Sequence, residues 1–275
     1  MSFASCIAET RIEPGHVGLY FIAQAGFCIK TPDGAIVLVD PYFSDYCGRE
    51  FGMKRMTPSV MKPKDLTPDI VIMTHNHADH LDPDALPILA EAESTFFVGA
   101  QDCLEPYLAA GLTTERFAVL AEGDGLHRRG VAIQATYADH GDLAPQAIGV
   151  LLSVEGVTVY FTGDTALTAE KILPTLDRPV DIMVAPVNGA YGNLNGREAC
   201  ELAKMVLPRV LIGSHFWMFV EHGAGPGPFL EAAADLPQGM HGLVMAPGEE
   251  MLYSADEGIV RRRVLDPLTD MLVGM

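Results

Sequence analysis

Residues 74–80 read Thr-His-Asn-His-Ala-Asp-His, so four potential metal ligands fall within six residues. They directly follow the apolar run 69–74, whose β-branched side chains are typical of a buried strand. Crowded imidazoles repel one another once they are protonated, whereas a bound divalent metal keeps them neutral. The stretch therefore predicts a metal site, and it restricts the chain to folds that present this loop at the end of a buried strand.

Three further apolar runs are each followed by a histidine or an aspartate. They lead to Asp139-His140, to Thr162-Gly163-Asp164 and to Ser214-His215. Strand ends that meet at one rim of a fold leave loops free to hold a site. Five of the nine histidines and two aspartates are therefore candidate ligands. They are His75, His77, Asp79, His80, His140, Asp164 and His215.

Apolar strand-like runs come in two sets, separated and interspersed by helical patterns. The strands are predicted at 18–22, 26–30, 35–39 and 69–74, and then at 131–137, 147–154, 157–162, 181–186 and 210–213; the helices at 83–93, 101–110, 168–176 and 197–206. Several connections have hairpin length, which a single parallel sheet does not allow. We expect an α/β (α+β) fold with two sheets face to face and helices outside, as one domain of residues 1–275.

Composition limits the partners and the compartment. With 36 acidic and 18 basic side chains the net charge is −18, which disfavours nucleic acids and anionic membrane surfaces. No run of 18 apolar residues and no signal-like N-terminus is found, so no membrane span is expected. The five scattered cysteines predict free thiols in a reducing cytoplasm. The segment 261–263 is predicted to be a solvated basic patch, and apolar residues of 264–273 to dock on the core or on a second copy.

The ligand pattern resembles the metallo-β-lactamase superfamily over nearly the whole chain. The resemblance rests on His75-x-His77-x-Asp79-His80 and on His140, Asp164 and His215. It implies a four-layer αββα sandwich with a dinuclear metal centre at the rim between the sheets. It also implies the ligand partition: His75, His77 and His140 for one metal; Asp79, His80 and His215 for the second; and Asp164 as the bridge.

Three later segments, 188–195, 214–219 and 247–253, are similar to the L-ascorbate-6-phosphate lactonase group of that superfamily. This similarity implies a phosphorylated sugar lactone as substrate, a preference for manganese and a homo-oligomer. The histidine and carboxylate donors themselves suit manganese, zinc or iron.

A metal pair lowers the pKa of a shared water molecule and polarises a carbonyl group. We therefore expect an enzyme that uses two divalent metal ions to hydrolyse a small ester or lactone, with Asp79 and Asp164 as its catalytic carboxylates. Asp40, at the end of the run 35–39, is placed where a carboxylate can hydrogen-bond a ligating histidine. The alternative interpretation of Asp40 is a turn before Pro41.

Candidate substrate-binding residues come from three segments. The stretch 49–64 holds five of the 18 basic groups and predicts attraction of a small anionic substrate, with a solvated loop as the alternative. The glycine-rich loop 188–195 offers partners for sugar hydroxyls, and aromatic residues follow His215. The candidates are Arg49, Lys54, Arg55, Tyr191, Asn193, Asn195, Trp217 and His222.

Other functions fit the same ligand pattern. The main alternative is a phosphodiesterase that acts on a small phosphodiester, since the negative charge opposes long nucleic acids. A thioesterase of the glyoxalase II kind would add a helical C-terminal domain, and the tail after Tyr253 is too short for one. The di-iron oxidoreductases of the superfamily carry glutamate where this chain has His77. A vestigial site in a binding protein is disfavoured because all seven ligand positions are filled.

Overall fold

The computed structural model describes residues 2–223 and 225–265, and the strands in that part of the chain form two mixed sheets. In chain order the strands are β1 (His16–Ala23), β2 (Gly26–Lys30), β3 (Ile36–Val39), β4 (Ile70–Met73), β5 (Phe96–Gly99), β6 (Phe117–Val119), β7 (Gly125–Arg128), β8 (Val131–Tyr137), β9 (Ile148–Val154), β10 (Val157–Phe161), β11 (Ile182–Pro186), β12 (Val210–Ser214), β13 (His241–Val244), β14 (Glu249–Ser254) and β15 (Gly258–Val264). The first sheet has the order β15-β14-β1-β2-β3-β4-β5-β6, and the second has the order β13-β12-β11-β10-β9-β8-β7.

The helices are short, and none of those described is long and apolar enough to cross a membrane. The α-helices are α1 (Phe3–Glu9), α2 (Tyr46–Phe51), α3 (Ala85–Leu89), α4 (Leu104–Ala109), α5 (Ala169–Ile172), α6 (Gly196–Val206) and α7 (Gly227–Ala233). Single 3₁₀ turns cover Pro63–Asp65, Gln101–Cys103, Thr114–Arg116, Gly141–Leu143, Leu173–Thr175 and Val220–His222.

The two sheets share one apolar core and carry helices on their outer faces. The ring of Phe27 in β2 lies 5.6 Å from that of Phe161 in β10, measured between centroids, so side chains of the two sheets meet. On the outside of the first sheet, Tyr107 of α4 packs at 5.2 Å against Phe97 of β5. On the second sheet, α6 packs on β11 and β12. The metallo-β-lactamase fold expected from the sequence, an αββα sandwich, is confirmed.

The direction of the strands brings several loops to one edge. In the first sheet β3, β4, β5 and β6 run parallel, so their C-terminal ends face the same way. In the second sheet β10, β11, β12 and β13 are parallel. Two antiparallel steps, from β10 to β9 and from β9 to β8, turn β8 back into the direction of β10. The loops after β8, β10 and β12 therefore emerge at the same edge of the sheet.

Some predicted boundaries differ from the structure. The helix predicted over 83–93 is reduced to α3, and those predicted over 101–110 and 168–176 are each part α-helix and part 3₁₀ turn. Six strands were not predicted, namely β5, β6, β7, β13, β14 and β15. Most of them are short, and β7 and β15 are largely exposed, so they lack the apolar pattern of a buried strand. The five cysteines are unpaired, as predicted.

The basic segment 261–263 is exposed, as predicted, but it also belongs to β15 and pairs with buried acids. Arg261 and Arg263 both hydrogen-bond the carboxylate of Glu250 in β14, and Arg262 reaches Glu249. Glu250 is 1% exposed, so this carboxylate has left bulk water and depends on its partners. The edge strand is thus joined to the sheet by charge-assisted hydrogen bonds. Residues 266–275, which include most of the predicted apolar docking segment, lie outside the described residues.

Glu250→Gln is expected to lower the free energy of unfolding at pH 7 by about 1–3 kcal/mol, since two arginines lose a charged partner. Burial raises the pKa of Glu250, but the hydrogen bonds from Arg263 and Arg261 outweigh it and lower the pKa overall. Because the folded-state pKa is lowered, the stabilisation that ionised Glu250 gives the fold is fully present above its unfolded-state pKa. This stabilisation is lost as pH falls through the folded-state pKa. Urea unfolding of both proteins from pH 7 to pH 3 should therefore show a difference that shrinks in acid. Glu257→Gln, in the exposed turn before β15, is the control.

Candidate metal centre

Loops from both sheets meet at the rim and bring all seven predicted ligands together. The loop after β4 carries His75, His77, Asp79 and His80, while the loops after β8, β10 and β12 carry His140, Asp164 and His215. The apolar strands are buried and fix the start of each loop, so the position of each ligand is set by strand register. The loop after β4 turns tightly, with the His80 N–H donating to the carbonyl of His77 at 2.9 Å.

The first ligand group consists of His75, His77 and His140. Nε2 of His75 lies 2.9 Å from Nδ1 of His77, and Nε2 of His140 lies 3.4 Å from the same Nδ1. The remaining ring nitrogens face away, since Nδ1 of His75 lies 3.1 Å from Thr74 Oγ1 and Nε2 of His77 lies 3.3 Å from the Leu143 carbonyl. Three ring nitrogens therefore converge on one point.

The second ligand group consists of Asp79, His80 and His215. Nε2 of His80 lies 3.4 Å from Nε2 of His215, and each nitrogen lies within 3.6 Å of Oδ2 of Asp79. All three side chains are buried. Within each group the potential ligand atoms lie within 4.8 Å of one another.

Asp164 stands between the two ligand groups. Its carboxylate oxygens lie 3.5 Å from His80 Nε2, 3.2 Å from His215 Nε2 and 3.8 Å from His140 Nε2. Asn193 donates its side-chain N–H to Oδ2 of Asp164 at 2.8 Å. A carboxylate in this position can contact ions in both groups, which fits the bridging role that the resemblance implies.

Burial and mutual charge prepare these side chains to receive cations. Burial lowers the pKa of His75 well below its ordinary value and that of His140 to about 4, so both rings are neutral at pH 7. Burial alone would raise the pKa of Asp79 and Asp164, but the neighbouring histidines hold both well below the ordinary range. For His215 burial acts downward, yet the two carboxylates raise its pKa to about 9. The carboxylates thus attract positive charge to the centre.

The donor set fits two divalent cations. It offers five imidazole nitrogens and two carboxylates. A further combination of His75, His80 and Asp164 also lies within 4.8 Å and links the two ligand groups. Nitrogen and oxygen donors of this kind suit manganese, zinc and iron alike. That these residues bind metal, and which metal they bind, stay predictions.

Asp40 holds the loop after β4 from behind. Oδ2 of Asp40 lies 2.8 Å from Nδ1 of His80, and the carboxylate also accepts hydrogen bonds from the N–H and hydroxyl of Thr74 at 2.7 Å. The backbone of Asp40 is left-handed (φ 46°), a conformation that aspartate and asparagine tolerate better than other side chains. The position suits the supporting role that was predicted for Asp40, because it fixes which nitrogen of His80 faces the centre.

Asp40→Asn is expected to weaken metal binding by about 10- to 100-fold while the protein stays folded. Asparagine keeps the left-handed backbone but presents one amide nitrogen where the carboxylate accepted a hydrogen bond. Competition with a chromophoric chelator would give the affinity of each variant. Asp33→Asn, on an exposed turn, is the matched control. An unchanged affinity in Asp40→Asn would contradict this role.

Gln24 was missed by the sequence reasoning, although it lies inside the centre. Its side-chain amide nitrogen is 2.9 Å from Oδ2 of Asp79 and 2.8 Å from Nδ1 of His222, and its backbone carbonyl accepts the backbone N–H of His215. It occupies the turn between β1 and β2 with a left-handed backbone (φ 57°). His215 (φ 61°) has the same unusual conformation, and backbone strain of this kind clusters at functional sites. Nothing in the local sequence around residue 24 signals this position.

A pocket of about 470 Å³ opens over the centre. Its floor contains Asp79, Asp164, His77, His140 and His215. Two of the predicted substrate-binding residues line its wall. Tyr191 is 46% exposed, and His222 is buried with its ring stacked on His215 at 5.1 Å. Burial and the charge of His215 lower the pKa of His222 to about 4, so this ring is neutral at pH 7.

The basic residues of the stretch 49–64 are absent from the described lining of this pocket, so their attraction of an anionic substrate stays a prediction. Arg49 lies on α2 and makes two hydrogen bonds to Asp84 instead. Arg55 donates hydrogen bonds to the backbone carbonyls of Ser44 and Thr57, so its guanidinium group stabilises the loop. Lys54 is exposed and is absent from the described pocket lining.

Three other candidates have structural partners instead of a place on the pocket wall. Asn193 donates a hydrogen bond to Asp164. Asn195 is the N-cap of α6, and its side chain accepts hydrogen bonds from the first N–H groups of that helix. Trp217 is 56% exposed and packs edge-on against Phe216, outside the described lining. The segment 188–195 therefore supports the centre mainly through Asn193, and only Tyr191 of that segment faces the pocket.

Known proteins are similar to this chain in sequence and in fold. Residues 18–215 match the family described as "Beta-lactamase superfamily domain". A "UPF0173 metal-dependent hydrolase" of Polynucleobacter asymbioticus is 27% identical over 224 residues, 74% of this chain and 75% of the relative. The metallo hydrolase Igni18 of Ignicoccus hospitalis has a TM-score of 0.70 at 22% identity, covering 87% of this chain and 99% of Igni18. Isothiocyanate hydrolase from Delia radicum gut bacteria has a TM-score of 0.71 at 22% identity, covering 86% and 99%. The chain therefore belongs to the beta-lactamase superfamily domain family, with the metallo-β-lactamase fold that its histidine motif had indicated.

Proposed function

We propose that this protein is a metal-dependent hydrolase that uses a dinuclear centre to cleave a small ester or lactone. The observation that carries the proposal is the floor of the pocket, where members of both ligand groups and the carboxylate of Asp164 between them face the same cavity. A relative that covers three quarters of the chain is named a metal-dependent hydrolase, which supports the reaction class.

Two divalent cations at this floor would supply an activated water molecule and a Lewis acid for the scissile carbonyl. The residues of the chain have separate tasks. Asp164 holds the two ligand groups together, and Asp79, hydrogen-bonded by Gln24, is a carboxylate that can orient the nucleophile. Nδ1 of His222 accepts the amide proton of Gln24, so the neutral ring carries its own proton on Nε2. That N–H is a donor for the oxygen of the departing group.

The test is hydrolysis of a panel by protein loaded with manganese or with zinc, beside chelator-treated protein. The panel contains simple lactones, phosphorylated sugar lactones, phenyl isothiocyanate and a small phosphodiester. We expect lactone turnover that needs the metal and is lost in His75→Ala, while His127→Ala, an exposed histidine away from the centre, keeps it. Turnover of the phosphodiester alone, with the metals bound, would overturn the carbonyl proposal in favour of a phosphodiesterase.

A further inference from the structure

The wall of the pocket above the centre is apolar and aromatic. It includes Tyr46 and Phe51 of α2, Met53 just after it, Pro106 of α4, Leu143 of the 3₁₀ turn after β8, and Tyr191. Three of them are large apolar side chains left in water: Phe51 is 61% exposed, Leu143 53% and Tyr191 46%. Exposed apolar groups that gather around one concave site are typical of ligand contact.

The placement of α2 explains why this wall is apolar despite the basic sequence. Tyr46 and Phe51 both face the pocket, with their rings packed edge to face at 6.1 Å. Arg49 is absent from the described lining; its guanidinium carbon lies 5.2 Å from the centroid of the Tyr46 ring, and Asp84 holds it there through two hydrogen bonds. The helix ends at Gly52, whose left-handed backbone (φ 73°) turns the chain so that Met53 continues the same wall.

The charge of the pocket lining also favours an uncharged ligand. No lysine or arginine occurs among the residues that line this pocket in the described part of the chain. An anionic group far from the metal ions would thus meet no cation in the lining, and Arg49, which lies over the Tyr46 ring, is already paired with Asp84 and Glu50. The net charge of −18 also disfavours the approach of anions. An uncharged apolar group gains free energy by covering the exposed side chains.

From this wall we infer that the substrate is an uncharged ester or lactone that bears an alkyl or aryl group, and that Phe51, Leu143 and Tyr191 select it by contact with that group. The inference rests on the proposed hydrolase function and goes further, because it replaces the phosphorylated or otherwise anionic substrate with an apolar one. Phe51 and its neighbours are specificity determinants, while the reaction itself takes place at the floor.

The test uses metal-loaded protein and γ-lactones whose side chain grows from none to six carbons, beside lactones of equal length that end in a carboxylate. We expect kcat/KM to rise about fourfold for each methylene that reaches the wall, which is the usual hydrophobic gain per methylene. The carboxylate series should fall at least tenfold below the alkyl series. Equal rates for both series, or rates independent of chain length, would overturn the inference and leave the hydrolase function standing.

Variants locate the selectivity. Phe51→Ala should lower kcat/KM for the six-carbon lactone about tenfold more than it lowers kcat/KM for the unsubstituted lactone. Phe51→Lys should bring the carboxylate series above the alkyl series. Val260→Ala, an exposed apolar residue on β15, is the matched control and should change neither series. An effect of Phe51→Ala that is equal for all chain lengths would contradict a contact with the alkyl group.

Binding separates the inference from the proposed reaction. If no lactone is hydrolysed, the lactonase form of the proposed function fails, and titration calorimetry with the same lactones still decides the inference. Tighter binding of the alkyl series, lost in Phe51→Ala, would support an apolar ligand whose scissile bond is of another kind. Tighter binding of the carboxylate series would refute the apolar ligand as well.

Discussion

Asp164→Ala is expected to retain less than one metal pair per chain and to lose at least a thousandfold in kcat/KM. The carboxylate lies within 3.8 Å of ligand nitrogens from His80, His140 and His215, so its removal takes a donor from both ligand groups at once. A metal pair contributes several kcal/mol of transition-state stabilisation, and roughly 4 kcal/mol correspond to a thousandfold in rate. Metal content by elemental analysis and turnover of the best lactone are the two measurements.

Asp142→Ala, an exposed aspartate in the 3₁₀ turn after β8, is the control for this experiment and should keep both metals. Asn193→Ala is informative in addition, because it removes the hydrogen bond to Asp164 and leaves the carboxylate in place. We expect the metal content and turnover of Asn193→Ala to lie between those of Asp164→Ala and Asp142→Ala. Two metals and full activity in Asp164→Ala would refute the bridging assignment.

Gly163→Ala is expected to destabilise the fold by about 2–5 kcal/mol, the largest stability effect that we predict for one methyl group. The backbone of Gly163 is left-handed (φ 64°), and a β-carbon there would lie 2.6 Å from the carbonyl oxygen of Ile148. This oxygen belongs to the backbone, so it cannot move aside as the end of a flexible side chain can. Urea unfolding followed by circular dichroism measures the free energy of unfolding.

Gly156→Ala separates the two causes. Gly156 is also left-handed (φ 87°), but no atom lies within 4 Å of a β-carbon built there. We expect a cost of about 1–2 kcal/mol, which is the conformational part alone. Equal costs at both glycines would mean that the contact with Ile148 relaxes without strain, and the loop that carries Asp164 would then be softer than its geometry indicates.

The ligands were predictable because their signal is local. The loop after β4 holds four donors within six residues, and His140, Asp164 and His215 each follow an apolar run that is a buried strand. Apolar runs with hairpin-length connections also indicated two sheets. Where the chain itself encodes the strand and its end, the position at the rim follows.

The supporting residues and the pocket wall were not predictable in the same way. Gln24 reaches Asp79 across 55 positions of sequence, through a left-handed turn that no motif marks. The segment around Arg49 carries basic residues, and the sequence alone does not show that they turn toward Asp84 and the loop backbone while Phe51 faces the cavity. Likewise Asn195 could serve a ligand or cap a helix, and only the start of α6 decides between them.

Each ligand group takes members from both sheets, since His75 and His77 follow β4 while His140 follows β8, and His80 follows β4 while His215 follows β12. A bound ion would therefore act as a cross-link between the two halves of the sandwich. Separation of the sheets would release the ions, and occupancy would be linked to unfolding through the same equilibrium. Metal supply would then set the lifetime of the folded chain as well as its catalytic state. A cell short of metal would contain less of the protein, and would not accumulate it as folded, metal-free and inactive chains.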